Sequence, residues 1–320
     1  MTFRAVPFLA AVAAAAVVAI LPVFLDGYHE GLAVYVALYF IAILGLNVLT
    51  GYTGQISIGH GGFMAIGGYT TVLLSHYEDW NLIATLPASF AITFVVGVIV
   101  GIPALRLSGV YLALATFGFA ISVPQLPLKF SKFLGGSNGL HTARTVSHLW
   151  LYVVSWASAG ILFVLAWLVL RGRTGRAFRA VRDSEVAAAS SGVALPIYKT
   201  LAFGVSGAYA GVAGSLLVLA TNGFAQPSLF GVLLSLQVLI GAAVAGLGSL
   251  WGVIVGAVFI GLLPTASASF PVIGSNHGQD VVFGLIVIAI MILLPNGVAG
   301  LLRAFEPRVK TAIKSDPKAS

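Results

Sequence analysis

Cysteine is absent from all 320 residues, which removes disulfides, thiol catalysis and thiolate metal sites from consideration. Charge is nearly as scarce. Only 8% of the residues are Asp, Glu, Lys or Arg, against roughly 25% in an ordinary soluble domain, while 59% are hydrophobic. A soluble fold of this length needs more polar surface than these residues can supply. No G-x-x-x-x-G-K-[ST] occurs, so the chain has no P-loop with which to hydrolyse ATP, and no H-E-x-x-H marks a metalloprotease. No pair of carboxylates lies within the apolar runs; Asp280 is the one acid close to membrane depth. Ion-coupled carriers keep ionisable groups at the midplane, so their scarcity speaks against secondary transport and against intramembrane catalysis.

What fills the chain is a series of apolar runs of the length a helix needs to cross a bilayer. Split at charges, prolines and glycine clusters, they give about ten spans, near 6–25, 31–50, 60–76, 82–104, 108–127, 149–170, 200–220, 229–247, 250–270 and 280–302. The run from Phe8 to Leu25 outlasts a secretory signal core and ends in no small-x-small site, so it reads as a first span. Glycine, at 38 residues, suits membrane helices that approach one another closely.

The connections between spans then alternate between two sides. Thirteen of the sixteen Lys and Arg residues fall on one: Arg4, Arg106, Arg171, Arg173, Arg176, Arg179, Arg182, Lys199, Arg303, Arg308, Lys310, Lys314 and Lys318. Lys129, Lys132 and Arg144 fall on the other. Basic residues stay cytoplasmic, which places both termini and the charged connector 171–199 inside. The expected fold is all-α: a polytopic membrane protein of about ten transmembrane helices over residues 1–302, with a cytoplasmic tail at 303–320. Orientation accounts for the net charge of +7, so nucleic acid is not expected as a partner, whereas the basic tail can meet anionic lipid. Spans two to five and seven to ten start on opposite sides, the arrangement of an inverted repeat.

Three stretches carry mechanism. Gly45–Tyr69, GLNVLTGYTGQISIGHGGFMAIGGY, is interrupted by glycines where the apolar pattern would otherwise continue. One reading is a helix broken at membrane depth, with Gly54, Gln55, Ser57 and His60 beside a helix N-terminus suited to a carboxylate, and Ser57 as its cap. The other is a tight turn between packed helices, in which Ser57 and His60 satisfy freed backbone groups. A lone His60 makes no metal site. In Ser108–Phe119, Tyr111 and Thr116 are polar points on an apolar span, and Phe117 is bulky enough to narrow a path; packing is the alternative.

The third stretch is the connector. Arg176, Arg179 and Arg182 recur at helical spacing, and Asp183-Ser184-Glu185-Val-Ala-Ala-Ala-Ser-Ser-Gly192 follows. Ser184 is placed to cap a short helix that Gly192 stops. Such an Ala-rich helix cannot form a core of its own and suits a groove on another protein. A solvated linker with orientation charges is the bland reading.

The Glu185-x-Ala187-Ala188-x-x-x-Gly192 spacing resembles the EAA loop of binding-protein-dependent ABC permeases. With GLNVLTGYTGQISIGHGGFMAIGGY from Gly45, LRLSGVYLALATFGF from Leu105, LGGSNGL at Leu134–Leu140 and the glycine repeat from Gly207 to Gly214, the chain resembles the branched-chain amino acid permease family, nearer its M-type than its H-type subunit. The resemblance implies a type II ABC importer of the bacterial inner membrane. Its parts would be this permease, an H-type permease, two cytoplasmic ATPase subunits that hold ATP and Mg, and a periplasmic or lipid-anchored binding protein. This chain would bind no cofactor and catalyse no reaction. Its coupling residues would be Arg179, Arg182, Asp183, Glu185, Ala187, Ala188 and Gly192, and its translocation path would run past Gly54, Gln55, Ser57, His60, Tyr111, Thr116 and Phe117. Urea, short amides or other amino acids are alternative cargoes. A passive channel, a different class, would need no coupling loop.

Overall fold

Helix starts follow the local sequence. The computed structural model describes residues 26–268 and the single positions 284, 285, 288, 292 and 297. The expected first span, the tail and most of the last span, Asp280 included, lie outside the described residues. Helix α1 covers Gly27–Leu46 and runs into a π-helical turn, Asn47–Gly51. Helices α2 (His60–Tyr77), α3 (Leu82–Ala104), α4 (Gly109–Ser122) and α5 (His148–Arg171) follow. Asn81 caps α3 by accepting from the Ile83 N–H, and Ser147 caps α5 by accepting from the Trp150 N–H. The connector folds as α6 (Arg173–Asp183) and α7 (Glu185–Ser190), and then come α8 (Leu195–Ala220), α9 (Val232–Ala245) and α10 (Gly252–Ala268).

Among the described residues, six helical stretches are long and apolar enough to cross a membrane. The expected span at 60–76 is an 18-residue helix but is not one of the six. Its polarity is tolerable because α8, α3, α4 and α9 surround it. Helix α8 starts before the expected position 200, because Pro196 sits in its first turn, where a missing N–H costs nothing, rather than breaking it. Lys199 therefore belongs to a helix and not to the linker. One feature went unforeseen: Leu140–His141 pairs antiparallel with Phe224–Ala225 at the end of the bundle away from the connector.

Protein encloses 83% of the apolar stretch of α1 and 89% of that of α8, against 28% for α3 and for α5. The two enclosed helices form the centre. The outer ones present Val95, Ile99 and Ile102 on α3 and Val153, Ile161 and Leu168 on α5, an apolar exterior that matches hydrocarbon. Small residues bring the inner backbones together: a Cβ on Gly67 would overlap the backbone of Gly211, and one on Gly214 would overlap the Met64 carbonyl. Hydroxyls add polar links there. The Gly67 carbonyl accepts from Ser89 of α3 and Ser215 of α8, both at 3.0 Å, and Tyr209 of α8 donates to the Leu162 carbonyl of α5 at 2.7 Å.

The packing repeats itself. Helix α8 lies against α3 as α1 lies against α10, α2 pairs with α3 as α9 pairs with α10, and α1 and α8 meet each other. Helix α2 follows a non-helical stretch and α9 a 3-10 turn, Pro227–Phe230, and their first turns touch where the Gly61 N–H donates to Ser235 Oγ at 2.8 Å. That contact lies deep in the bundle. Beside it His60 meets Ser206, roughly 16 Å along α8 from Leu195 at about 1.5 Å per residue. The glycine-rich stretch is thus a break inside the bundle, reached from the connector end through the non-helical residues 54–59.

Candidate functional site

The connector is built in two parts with Ser184 between them, extended at φ −163° and ψ 115°. Helix α6 buries Gly175, Ala177, Phe178 and Val181, and the Phe178 ring meets Tyr198 of α8 edge-on. This apolar face holds α6 against the membrane helices. Arg179 Nη1 donates to the Leu170 carbonyl at 3.4 Å, closing one of the free carbonyls that end α5. Arg182 Nη1 donates to the Gly51 carbonyl at 2.9 Å, and its Nε reaches Asp183 at 3.3 Å. Two of the three regularly spaced arginines therefore point back at the bundle, and Arg176 stays exposed.

Ser184 caps α7 as its position requires, accepting from the Ala187 N–H at 3.3 Å. Gly192, at φ +82°, stops it: only a left-handed residue lets the Val193 N–H return to the Ala188 carbonyl, at 3.0 Å. Glu185 pairs with Lys199 at 2.6 Å, which ties α7 to the central helix α8. Ala188 is buried, while Ala187, Ala189 and Val186 face outward, Val186 at 79% exposure. Ile197, 64% exposed, extends this apolar patch beside α7. Sequence reasoning passed over Lys199, Val186 and Ile197. For Lys199 a signal existed, since a cation entering an apolar helix needs an anion within reach.

The Lys199 side chain is 8% exposed and that of Glu185 50%. Glu185→Ala leaves an enclosed ammonium without its partner, at a cost of roughly 1–3 kcal/mol, less than for a fully enclosed pair. The expected result is a lower melting temperature in detergent, restored when Lys199→Met is added. A double variant no more stable than the single one would show that the pair is not what Glu185→Ala disturbs.

The residues named for the path separate into three places. Gly54, at φ +73°, lies at the connector end against the Arg182 side chain. Gln55, Ser57, His60 and Thr116 are buried in or beside the break. Tyr111, 73% exposed, and half-buried Phe117 lie on the outer side of α4. At the break, Ser57 Oγ accepts from the Gly59 N–H at 3.2 Å, Thr116 Oγ from the Ile58 N–H at 3.0 Å, and Ser235 Oγ from the Gly61 N–H. These amides have side-chain acceptors from three places in the chain, so Ser57 serves the non-helical stretch rather than capping α2 directly. Gln55 Nε2 donates to Thr53 Oγ1 at 3.1 Å. His60 Nε2 meets Ser206 Oγ at 3.0 Å, and its buried Nδ1 has no hydrogen-bond partner.

Among the described residues no group of three or more acids and histidines could hold a metal. The run Gly135–Gly139 fits G-x-S-x-G letter for letter. Its Ser137 stands in an exposed 3-10 turn, not on the strand-to-helix turn from which such a nucleophile works.

The family profile described as "Branched-chain amino acid transport system / permease component" matches residues 28–293. The chain belongs to this permease family. It is 33% identical over 314 residues to the high-affinity branched-chain amino acid transport system permease protein LivM of Escherichia coli, covering 87% of this chain and 71% of LivM. The LivH permease of Salmonella typhimurium is 22% identical over 82% of this chain and 91% of LivH. The autoinducer 2 import system permease LsrC of Klebsiella pneumoniae is 26% identical over 66% of this chain and 60% of LsrC. No solved structure matches at a significant level. The family is one of transport components rather than enzymes, and with several apolar helices this permease is a multi-pass membrane protein.

Proposed function

We propose that this permease is the M-type transmembrane subunit of an ATP-driven importer of branched-chain amino acids in the bacterial inner membrane. It crosses the membrane about ten times, as a type II importer does, with both termini and α6–α7 in the cytoplasm. An H-type permease completes the membrane part. Two ATPase subunits, which hold the ATP and Mg, take α7 into their grooves, and a periplasmic or lipid-anchored binding protein delivers cargo outside. This chain binds no cofactor itself. Residues 1–302 form the membrane domain and 303–320 the tail.

One observation carries the coupling reading. A short helix stands at the end of the bundle with the apolar side chains of Val186, Ala187 and Ala189 exposed, whereas the apolar face of α6 (Ala177, Phe178 and Val181) is packed inward. A passive channel would have no use for such a helix. The cargo follows from the LivM relatives, and likeness to LsrC favours a second reading, in which the same machinery carries another small polar solute.

The test is to produce the chain with two ATPases, an H-type permease and a binding protein of the same importer class. ATP-dependent uptake of labelled leucine, isoleucine and valine into proteoliposomes is then measured. An assembled complex that moves none of the three would remove the cargo, and failure of the ATPases to co-purify would remove the class. For the path, Ser57→Ala and His60→Ala are expected to slow uptake without lowering membrane abundance. Unchanged uptake in both variants would take these residues off the path.

A further inference from the structure

Arg182 sits where three segments meet. Its Nη1 donates to the Gly51 carbonyl at 2.9 Å, at the end of the π-helical turn that closes α1. Its aliphatic stem covers Gly54, where an added Cβ would stand 3.2 Å from Arg182 Cγ. The guanidinium also lies against Gly248, in the corner that ends α9, where an added Cβ would stand 3.0 Å from Nη1. Gly54 and Gly248 both have positive φ, +73° and +81°, so each is a corner that a side chain would strain. Asn47, at the start of the π-helical turn, ties that turn directly to the second corner: its Nδ2 donates to the Ser249 carbonyl at 2.9 Å, and its Oδ1 accepts from the Gly248 N–H at 2.8 Å. Helix α1 opens one of the two similarly packed blocks and α9 belongs to the other.

We infer that Arg182 is a positioning residue that carries movement of α6–α7 into both blocks at these two glycine corners, rather than a contact for the ATPase. A planar guanidinium with several fixed donors can hold a carbonyl and bear on a second corner at once; a lysine ammonium can do only the first. Carbonyls at the end of a π-helical turn lack regular intrahelical partners, so moving the donor at Gly51 shifts the end of α1 itself. Beyond Gly54 the chain runs without regular structure to the start of α2 at His60. A displacement at Arg182 is thereby passed to the meeting point of α2 and α9.

The inference rests on the importer reading, and the experiment keeps the two apart. Wild type, Arg182→Ala, Arg182→Lys and Asn47→Ala are each purified with the ATPases and the second permease, and uptake per ATP hydrolysed is measured in proteoliposomes. Arg182→Ala is expected to keep normal co-purification and hydrolysis while uptake per ATP falls at least tenfold, with Arg182→Lys intermediate and Asn47→Ala impaired in the same way. Loss of co-purification or hydrolysis in Arg182→Ala would make it an ATPase contact and overturn the inference. Unchanged uptake per ATP, or a fall that only follows membrane abundance, would overturn it too. Failure of the wild-type chain to co-purify with ATPases would instead strike the importer reading. A second measurement needs no partner. With no native cysteine in the chain, a nitroxide on Val186→Cys reports α7 alone. Arg182→Ala is expected to loosen that label, and an unchanged spectrum would overturn the inference even if the importer reading fails.

Discussion

Val186→Asp is expected to abolish uptake while the chain still reaches the membrane in normal amount. Val186 is in the first turn of α7, 79% exposed, in a helix whose other face is held by Ala188 and the Glu185–Lys199 pair. An acid in a first turn favours the helix, so α7 itself is not weakened. Carried into an apolar groove, the same carboxylate must lose its water without a partner. A central interface residue of this kind is worth about 2 kcal/mol or more, which is at least roughly thirtyfold in affinity. The measurement is ATPase co-purification together with uptake. Val186→Ala serves as the mild control, since it removes area without adding charge. If Val186→Asp transports normally, the exposed face of α7 is not where the motor binds.

Gly214→Val is expected to remove folded protein altogether. A Cβ at Gly214 would fall on the carbonyl and Cα of Met64, so the clash is with the backbone of α2 and not with a side chain that can rotate away. Gly67 and Gly211 make the same close approach one turn along, and the hydroxyls of Ser215 and Ser89 depend on that spacing to reach the Gly67 carbonyl. Separating α2 from α8 costs these contacts together, about 3 kcal/mol or more, at the most enclosed seam of the bundle. Size-exclusion chromatography of the detergent-solubilised variant should show loss of the monodisperse peak. A variant as well behaved as wild type would mean that the two helices can part without loss.

Much of this was legible beforehand, for definite reasons. Hydropathy reports helices in lipid, so α1, α3 and α5 lie close to where the apolar runs place them. Local capping chemistry is equally direct: Ser184 and Gly192 bound α7 because each acts on backbone a few residues away. Helix α2 is legible as one of the apolar runs between charges and glycine clusters, although it is too polar to qualify as a span on its own; its burial by four neighbours is a tertiary fact. The helical spacing of Arg176, Arg179 and Arg182 was visible, but not that Arg179 and Arg182 turn toward the bundle. Their acceptors, Leu170 and Gly51, are backbone carbonyls that carry no sequence mark. The glycine-rich stretch left two readings open, and the structure combines them. The helix is interrupted inside the bundle, and three of the freed amides are already satisfied by Ser57, Thr116 and Ser235. Tyr111 and Thr116 share one helix, yet one faces out and the other in, because five residues make 1.4 turns.

The meeting of α2 and α9 also bears on how the chain is made. Backbone donors at a helix start cannot be left bare in hydrocarbon, where each unmet group costs several kcal/mol. Those of α2 depend on Ser235, and its own flank depends on Ser206 and Gly211, all in the second half of the sequence. During synthesis α1 and α3 can enter the bilayer as they emerge, but α2 cannot settle until α8 and α9 arrive. Biogenesis of this permease therefore passes through a stage in which a weakly apolar segment of the N-terminal half waits for a partner made much later. Chaperoning at the insertion machinery, rather than transport itself, is where that dependence would be felt first.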